Sequence, residues 1–164
     1  PEEIKDEFKK RELVKSLYWR VELRAYCLMP NHFHLLLYQN DETAIAEFMR
    51  TLCTSYTMYF NRRNERVGHL FQGRYKARKI DSDAYNLHIT RYIHLNPQAM
   101  ESGYKLYPYS SMRFILRPEI RPRWLLVDSV LSEHYGSIDH YVRFIDEYAK
   151  DNTVEDLHDL YGLD

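Results

Sequence analysis

The sequence predicts an α+β fold, a small antiparallel sheet with helices on one face. Three observations predict it. Residues 17–28 alternate: Leu17, Trp19, Val21, Leu23, Ala25 and Cys27 share one face, and Tyr18, Arg20, Glu22, Arg24 and Tyr26 the other, the period of a half-buried strand. Residues 42–62 repeat Ile45, Phe48, Met49, Leu52, Tyr56 and Tyr59 at helical spacing. The segment patterns then run helix, strand, strand, helix, strand, helix.

In chain order, residues 2–16 set Ile4, Phe8, Leu13 and Val14 among charges, an amphipathic helix. Met29-Pro30-Asn31 is a turn signal after the first strand, and His32 to Tyr38 forms the second, antiparallel if the turn closes a hairpin. Asp41 is placed to cap helix 42–62. A third strand is predicted near 74–80. Ser82-Asp83 caps a helix reaching about Leu95 and stopped near Pro97. Residues 98–125 are loop-rich, with one short helix near 110–116. Acidic amphipathic segments near 127–134, 138–150 and 154–161 form a small helical C-terminal extension. The expected domains are residues 1–126 and this extension, 127–164.

The 164 residues suit one compact domain with a small appendage, and 45% apolar composition provides a core. No apolar run approaches the ~20 residues that span a bilayer, and no N-terminal segment reads as a secretory signal. The chain opens with Pro1 rather than Met. Cys27 and Cys53 are too few for a disulfide framework, so a reduced, cytoplasmic setting is expected. The net charge of −1 hides an asymmetry: residues 128–164 hold ten Asp/Glu and two Lys/Arg, whereas residues 1–127 hold 21 Lys/Arg and 14 Asp/Glu. A basic body under an acidic tail suits a polyphosphate partner. Fifteen tyrosines supply faces on which unpaired bases stack, although most tyrosines serve cores and core boundaries.

Two segments carry chemistry. His32 and His34 alternate on a predicted strand, so their imidazoles share a face that suits a divalent cation, with Phe33 pointing to the opposite face and into the core. On spacing alone the pair reads more readily as two half-buried histidines, and a third ligand must come from elsewhere. In the predicted helix ending near Leu95, His88, Tyr92 and Asn96 stand at i, i+4 and i+8, on one face. A phenol one turn from a carboxamide can join a nucleophile to a metal ligand. On spacing alone, Tyr92 reads more readily as an amphipathic helix residue and Asn96 as a helix end before Pro97.

Taken together, these motifs resemble a known family. Tyr26-Cys27-Leu28-Met29-Pro30-Asn31-His32-Phe33-His34-Leu35-Leu36 resembles the histidine strand of the HUH transposases. Phe60-Asn61-Arg62-Arg63 and Gly68-His69-Leu70-Phe71-Gln72-Gly73-Arg74-Tyr75-Lys76 are similar to the family's central block. Asp81-Ser82-Asp83-Ala84-Tyr85 with Arg91-Tyr92-Ile93-His94-Leu95-Asn96-Pro97 resembles its nucleophile helix, and Tyr107-Pro108-Tyr109-Ser110-Ser111 the short segment beyond. The resemblance covers about residues 17–115 and is to the REP-associated tyrosine transposases, the single-tyrosine branch related to insertion-sequence transposases.

The resemblance implies a ferredoxin-like sheet of the HUH endonuclease type. It implies Mg²⁺ or Mn²⁺ at His32 and His34 with Asn96 as third ligand, and Tyr92 as covalent nucleophile. It implies single-stranded or hairpin DNA as substrate, cut to a 5′-phosphotyrosine link and a free 3′-OH. By position, Arg62, Arg63, Arg74, Lys76 and Arg78 are the expected phosphate contacts. Members of this family also begin with a strand ending in a Ser-Arg-Gly-Asn-like turn. This sequence carries no such segment, so the sheet is expected to lack its first strand. Three activities fit: a DNA-cleaving and strand-joining transposase, monomeric or homodimeric; a domesticated, non-catalytic hairpin-binding protein of the same fold; and a hydrolase using a metal-bound hydroxide.

Overall fold

The computed structural model describes residues 17–134, 137–153 and 156. The helix expected over residues 2–16 lies outside them, as does the segment expected over 154–161 apart from Asp156. The chain divides into two compact units, Pro1–Val21 with Gln39–Ala77, and Glu22–Tyr38 with Arg78–Asp164.

The first unit is built on helix α1, Ala44–Arg63. Its start is held by side chains. Arg20 donates through Nε and Nη2 to the two Asp41 carboxylate oxygens at 2.7 and 2.9 Å, and through Nη1 to Glu47 at 2.7 Å. This fork geometry is what guanidinium and carboxylate favour. Asp41 is not the N-cap expected. Thr43 takes that position, and Asp41 accepts the Thr43 backbone N–H at 3.0 Å from two residues further out. The guanidinium beside it holds the Asp41 carboxyl below the usual carboxylate range. Residues 17–20, expected as strand, instead finish a helical turn: the Arg20 N–H donates to the Leu17 carbonyl at 3.0 Å and Trp19 is 77% exposed. The other end of α1 carries Arg62 and Arg63, cations suited to the negative end of the helix dipole. Asn61 Nδ2 then donates to the Gly68 carbonyl at 2.8 Å, closing a turn in which Gly68 has a φ of 88°.

The strand expected at 74–80 does not form. Every residue from 74 to 79 is exposed, so this run has no buried face to fix a register.

In the second unit, β1 (Val21–Leu28) pairs antiparallel with β2 (Phe33–Gln39), the one sheet among the described residues. The turn is closed by Met29 N–H to the His32 carbonyl at 2.9 Å. Ala25 and Cys27 are fully buried, as the alternation predicts. The outer edge of β1 is covered by irregular chain: Leu28 and Tyr26 exchange backbone bonds with Tyr109 and Ser111, and Leu126 N–H donates to Leu23, each at 2.9 Å. This covers polar groups that an edge strand would otherwise leave open.

Helix α2 spans Asp83–Leu95, capped by Ser82, whose side chain accepts the Tyr85 N–H at 3.3 Å. A 3₁₀ turn, Asn96–Ala99, follows. Short helices α3 (Gly103–Leu106) and α4 (Met112–Leu116) lead to a 3₁₀ turn at Pro118–Ile120, then α5 (Val127–His134) and α6 (Ile138–Asp151). Residues Ile89–Leu95 are all buried. The reason is that α2 shares one apolar core with β1, β2, α5 and α6, including Ala25, Leu36, Ile93, Val130, Tyr141 and Ile145. Arg91 is buried too, its guanidinium 4.3 and 3.9 Å from the ring centroids of Phe144 and Tyr148 on α6, where aromatic faces stabilise a cation withdrawn from water. Among the described residues no helix is long and apolar enough to cross a membrane.

Candidate active site

The β1–β2 turn and the C-terminal end of α2, both in the second unit, bring together the residues singled out above. His32 immediately precedes β2 and is exposed; His34 lies inside the strand and is half-buried. Their rings stand 4.9 Å apart at 82°. Phe33 is half-buried rather than in the core. The buried β2 side chain is Leu36, on the face of His34, so the histidine pair sits on the edge of the core-facing side. That reverses the orientation predicted for the strand.

Tyr92 projects from α2 onto this pair, its ring edge-on to His34 with centroids 5.1 Å apart at 79°. It is 7% exposed. One turn on, Asn96 caps α2. Its Nδ2 donates to the Tyr92 carbonyl at 3.1 Å, which turns Oδ1 toward His32 Nε2, 3.5 Å away. His88, expected on the same face, instead bonds the Arg91 Nη2 at 2.6 Å and packs against Phe144 of α6. Burial and then the neighbouring Arg91 charge lower its pKa.

The residues present fit a divalent cation. His32 Nδ1 stands 2.7 Å from Asn31 Oδ1, which can only accept, so in the neutral ring Nδ1 carries the proton. His32 Nε2 then directs a lone pair at a second acceptor, Asn96 Oδ1. Two acceptors facing each other without a proton repel unless a cation lies between them. A ligating imidazole held by a hydrogen bond to its other nitrogen is the usual arrangement at metal sites. Among the described residues no cluster of three His, Cys, Asp or Glu side chains offers another metal site. The third donor on offer here is a carboxamide.

Asn31 was legible only as a turn residue. Also unforeseen was the support behind the helix. His94 is fully buried, with Nδ1 2.5 Å from the Tyr141 hydroxyl and Nε2 2.7 Å from Ser111 Oγ. Ser111 Oγ in turn accepts the Tyr26 N–H at 2.8 Å. One imidazole thus ties α2 to β1 and α6, and burial pushes its pKa down to about 3. The expected phosphate contacts Arg62, Arg63, Arg74 and Lys76 are exposed in the first unit. Arg78 belongs to the second, its guanidinium 5.3 Å from the Tyr85 ring centroid.

Two paired strands with a histidine pair facing a helix that carries tyrosine and asparagine define an α+β protein with a histidine–tyrosine site. The chain belongs to the IS200-like transposases: the family model described as "Transposase IS200 like" matches residues 2–96, ending on Asn96 and including His32, His34 and Tyr92. Membership in a transposase family related to insertion sequences is therefore as the motifs imply, and a transposase acts on DNA. No curated protein and no solved structure matches the chain.

Proposed function

We propose that this transposase cuts and rejoins single-stranded or hairpin DNA through Tyr92, with Mg²⁺ or Mn²⁺ held by His32, His34 and Asn96. The observation that carries this reading is the convergence of Tyr92 on His34 beside the facing acceptors of His32 and Asn96. The Tyr92 phenolate oxygen attacks the scissile phosphorus, the bond from phosphorus to O3′ breaks, and the departing O3′ takes a proton to become a free 3′-OH. A 5′-phosphotyrosine remains. Reversal, with a 3′-OH attacking that ester, releases Tyr92 and joins strands. The bound cation would polarise the scissile phosphate and stabilise the charge developing on it. Asn96 holds helix and site in one register through its bond to the Tyr92 carbonyl. His94 fixes α2 from behind.

Substrates of the REP-associated branch, palindromic hairpins, are the proposed targets, with Arg62, Arg63, Arg74, Lys76 and Arg78 on the phosphates, in a monomer or homodimer. The test incubates hairpin DNA with the protein, with and without Mn²⁺. Nicking with a covalent protein–DNA band, lost in Tyr92→Phe and without metal, is expected. Metal-dependent turnover that survives Tyr92→Phe would instead indicate a hydrolase.

One observation favours a second reading. Tyr92 is 7% exposed, shielded as a core residue is. A domesticated protein that binds hairpins without cutting them would shift the hairpin and give no covalent band under either metal.

A further inference from the structure

The apolar stripe predicted along α1 is only partly buried. Met49 is covered, but Tyr56 is 47% exposed and Tyr59 57%. Their rings are 6.4 Å apart and inclined by 34°, and Tyr56 also lies 6.3 Å from Phe71 at 39°. Exposed rings clustered on one helix mark a contact surface more than a solvated face.

The charge around them says what kind. Residues 56–77 hold five Lys/Arg, namely Arg62, Arg63, Arg66, Arg74 and Lys76, against the single acid Glu65. Among the described residues none of the five is ion-paired. Two of them lie against this cluster: Arg63 Nη1 donates to the Tyr59 hydroxyl at 3.4 Å, and the Arg66 guanidinium is 5.7 Å from the ring centroid of Phe60, whose ring is 6.2 Å from that of Tyr56. An apolar partner would have to desolvate these cations without compensation. A phosphate backbone neutralises them and releases counterions. Unpaired bases offer faces to the tyrosines, whereas a duplex keeps its faces stacked on themselves.

We propose that Tyr56 and Tyr59 form a stacking platform for unpaired bases of single-stranded DNA, whose backbone runs along Arg62, Arg63 and Arg66. This rests on the reading that the chain acts on DNA, and adds to it a base-contacting surface made wholly of first-unit residues. The surface accepts any base, because every base has a π-face.

The experiment measures binding of a short oligothymidylate, and of a duplex with equal phosphate count, to the full chain carrying Tyr92→Phe, in EDTA. Cleavage cannot contribute there. Failure of the nucleophile assignment would show in adduct assays and leave this result unaffected. Tyr56→Ala and Tyr59→Ala should each weaken oligothymidylate binding roughly tenfold while leaving duplex binding within about twofold. Tyr56→Phe and Tyr59→Phe should bind as the parent does. If an alanine variant melts early, Tyr56→Leu and Tyr59→Leu fill the space without a π-face and should show the same selective loss. Unchanged oligothymidylate affinity in the alanine or leucine variants overturns the proposal, as does equal loss on both DNAs. A change of oligomeric state without a change in DNA affinity also overturns it, and assigns the patch to a second copy of the chain.

Discussion

The Nε2 of His32 faces the carboxamide oxygen of Asn96 at 3.5 Å, although the two residues lie 64 positions apart in the chain. The hairpin turn places one and the C-terminal end of α2 the other. Each partner is oriented by a further bond, from His32 Nδ1–H to Asn31 and from Asn96 Nδ2 to the Tyr92 carbonyl. Side chains oriented this way would be preorganised for the proposed cation rather than assembled by it.

Metal affinity should follow that geometry. Asn31→Ala, which frees the His32 ring without removing a ligand, should weaken Mn²⁺ binding roughly 10- to 100-fold. His32→Ala and Asn96→Leu should cost at least as much, while Asn96→Asp keeps an oxygen donor and retains binding. Calorimetric titration with Mn²⁺ measures all four. Asn96→Leu with parental affinity would remove Asn96 from the ligand set.

DNA affinity should be steeply salt-dependent. Replacing Arg62, Arg63, Arg74, Lys76 or Arg78 by Gln should lower the slope of log affinity against log salt by about 0.7 for each phosphate of single-stranded DNA that is no longer neutralised. The weakening should be uniform across sequences, since phosphates carry no sequence information. Fluorescence anisotropy over a salt series reads this out. Five unchanged slopes would return these cations to solvent.

His94→Ala should destabilise the second unit by about 3 kcal/mol or more. The change leaves the Tyr141 hydroxyl without its imidazole partner and opens a cavity in a fully buried position. Urea unfolding followed by tyrosine fluorescence measures it. A loss below about 1 kcal/mol would mean that the imidazole is not holding α2 in place.

The start of α1 should be acid-sensitive. Hydrogen bonds from Arg20 depress the folded pKa of Asp41. A depressed carboxyl contributes stability above its unfolded pKa, near pH 4, and loses it as pH falls through the folded value. In Arg20→Leu the Asp41 carboxyl should titrate higher than in the parent, while the bonds from Thr43 still hold it below its ordinary value of about 3.9. Carboxyl-carbon NMR shifts follow it, and an unmoved titration would show that Arg20 is not the cause.

What the sequence reveals divides along the range of the interactions. Strand alternation over 21–28 and the Ser82 cap of α2 are local, and both are legible. The pairing of His32 with Asn96 follows only from family resemblance, because no local rule joins a turn to a distant helix end. His94 reads as an ordinary helix residue, since its partners lie 17 and 47 positions away. The run at 74–80 shows why local pattern misleads: its residues suit an extended chain, but every residue from 74 to 79 is exposed and only Ile80 packs against the core. The stripe of Leu52, Tyr56 and Tyr59 shows the converse, because helical spacing identifies the helix without saying what covers it.

The most direct test of Tyr92 as nucleophile is mass spectrometry of the covalent product. Protein incubated with hairpin DNA and Mn²⁺, then digested with nuclease and protease, should yield a nucleotide attached through its 5′-phosphate to the peptide containing Tyr92. A phosphotyrosyl nucleotide on any other tyrosine, or cleaved DNA with no modified peptide, would contradict it.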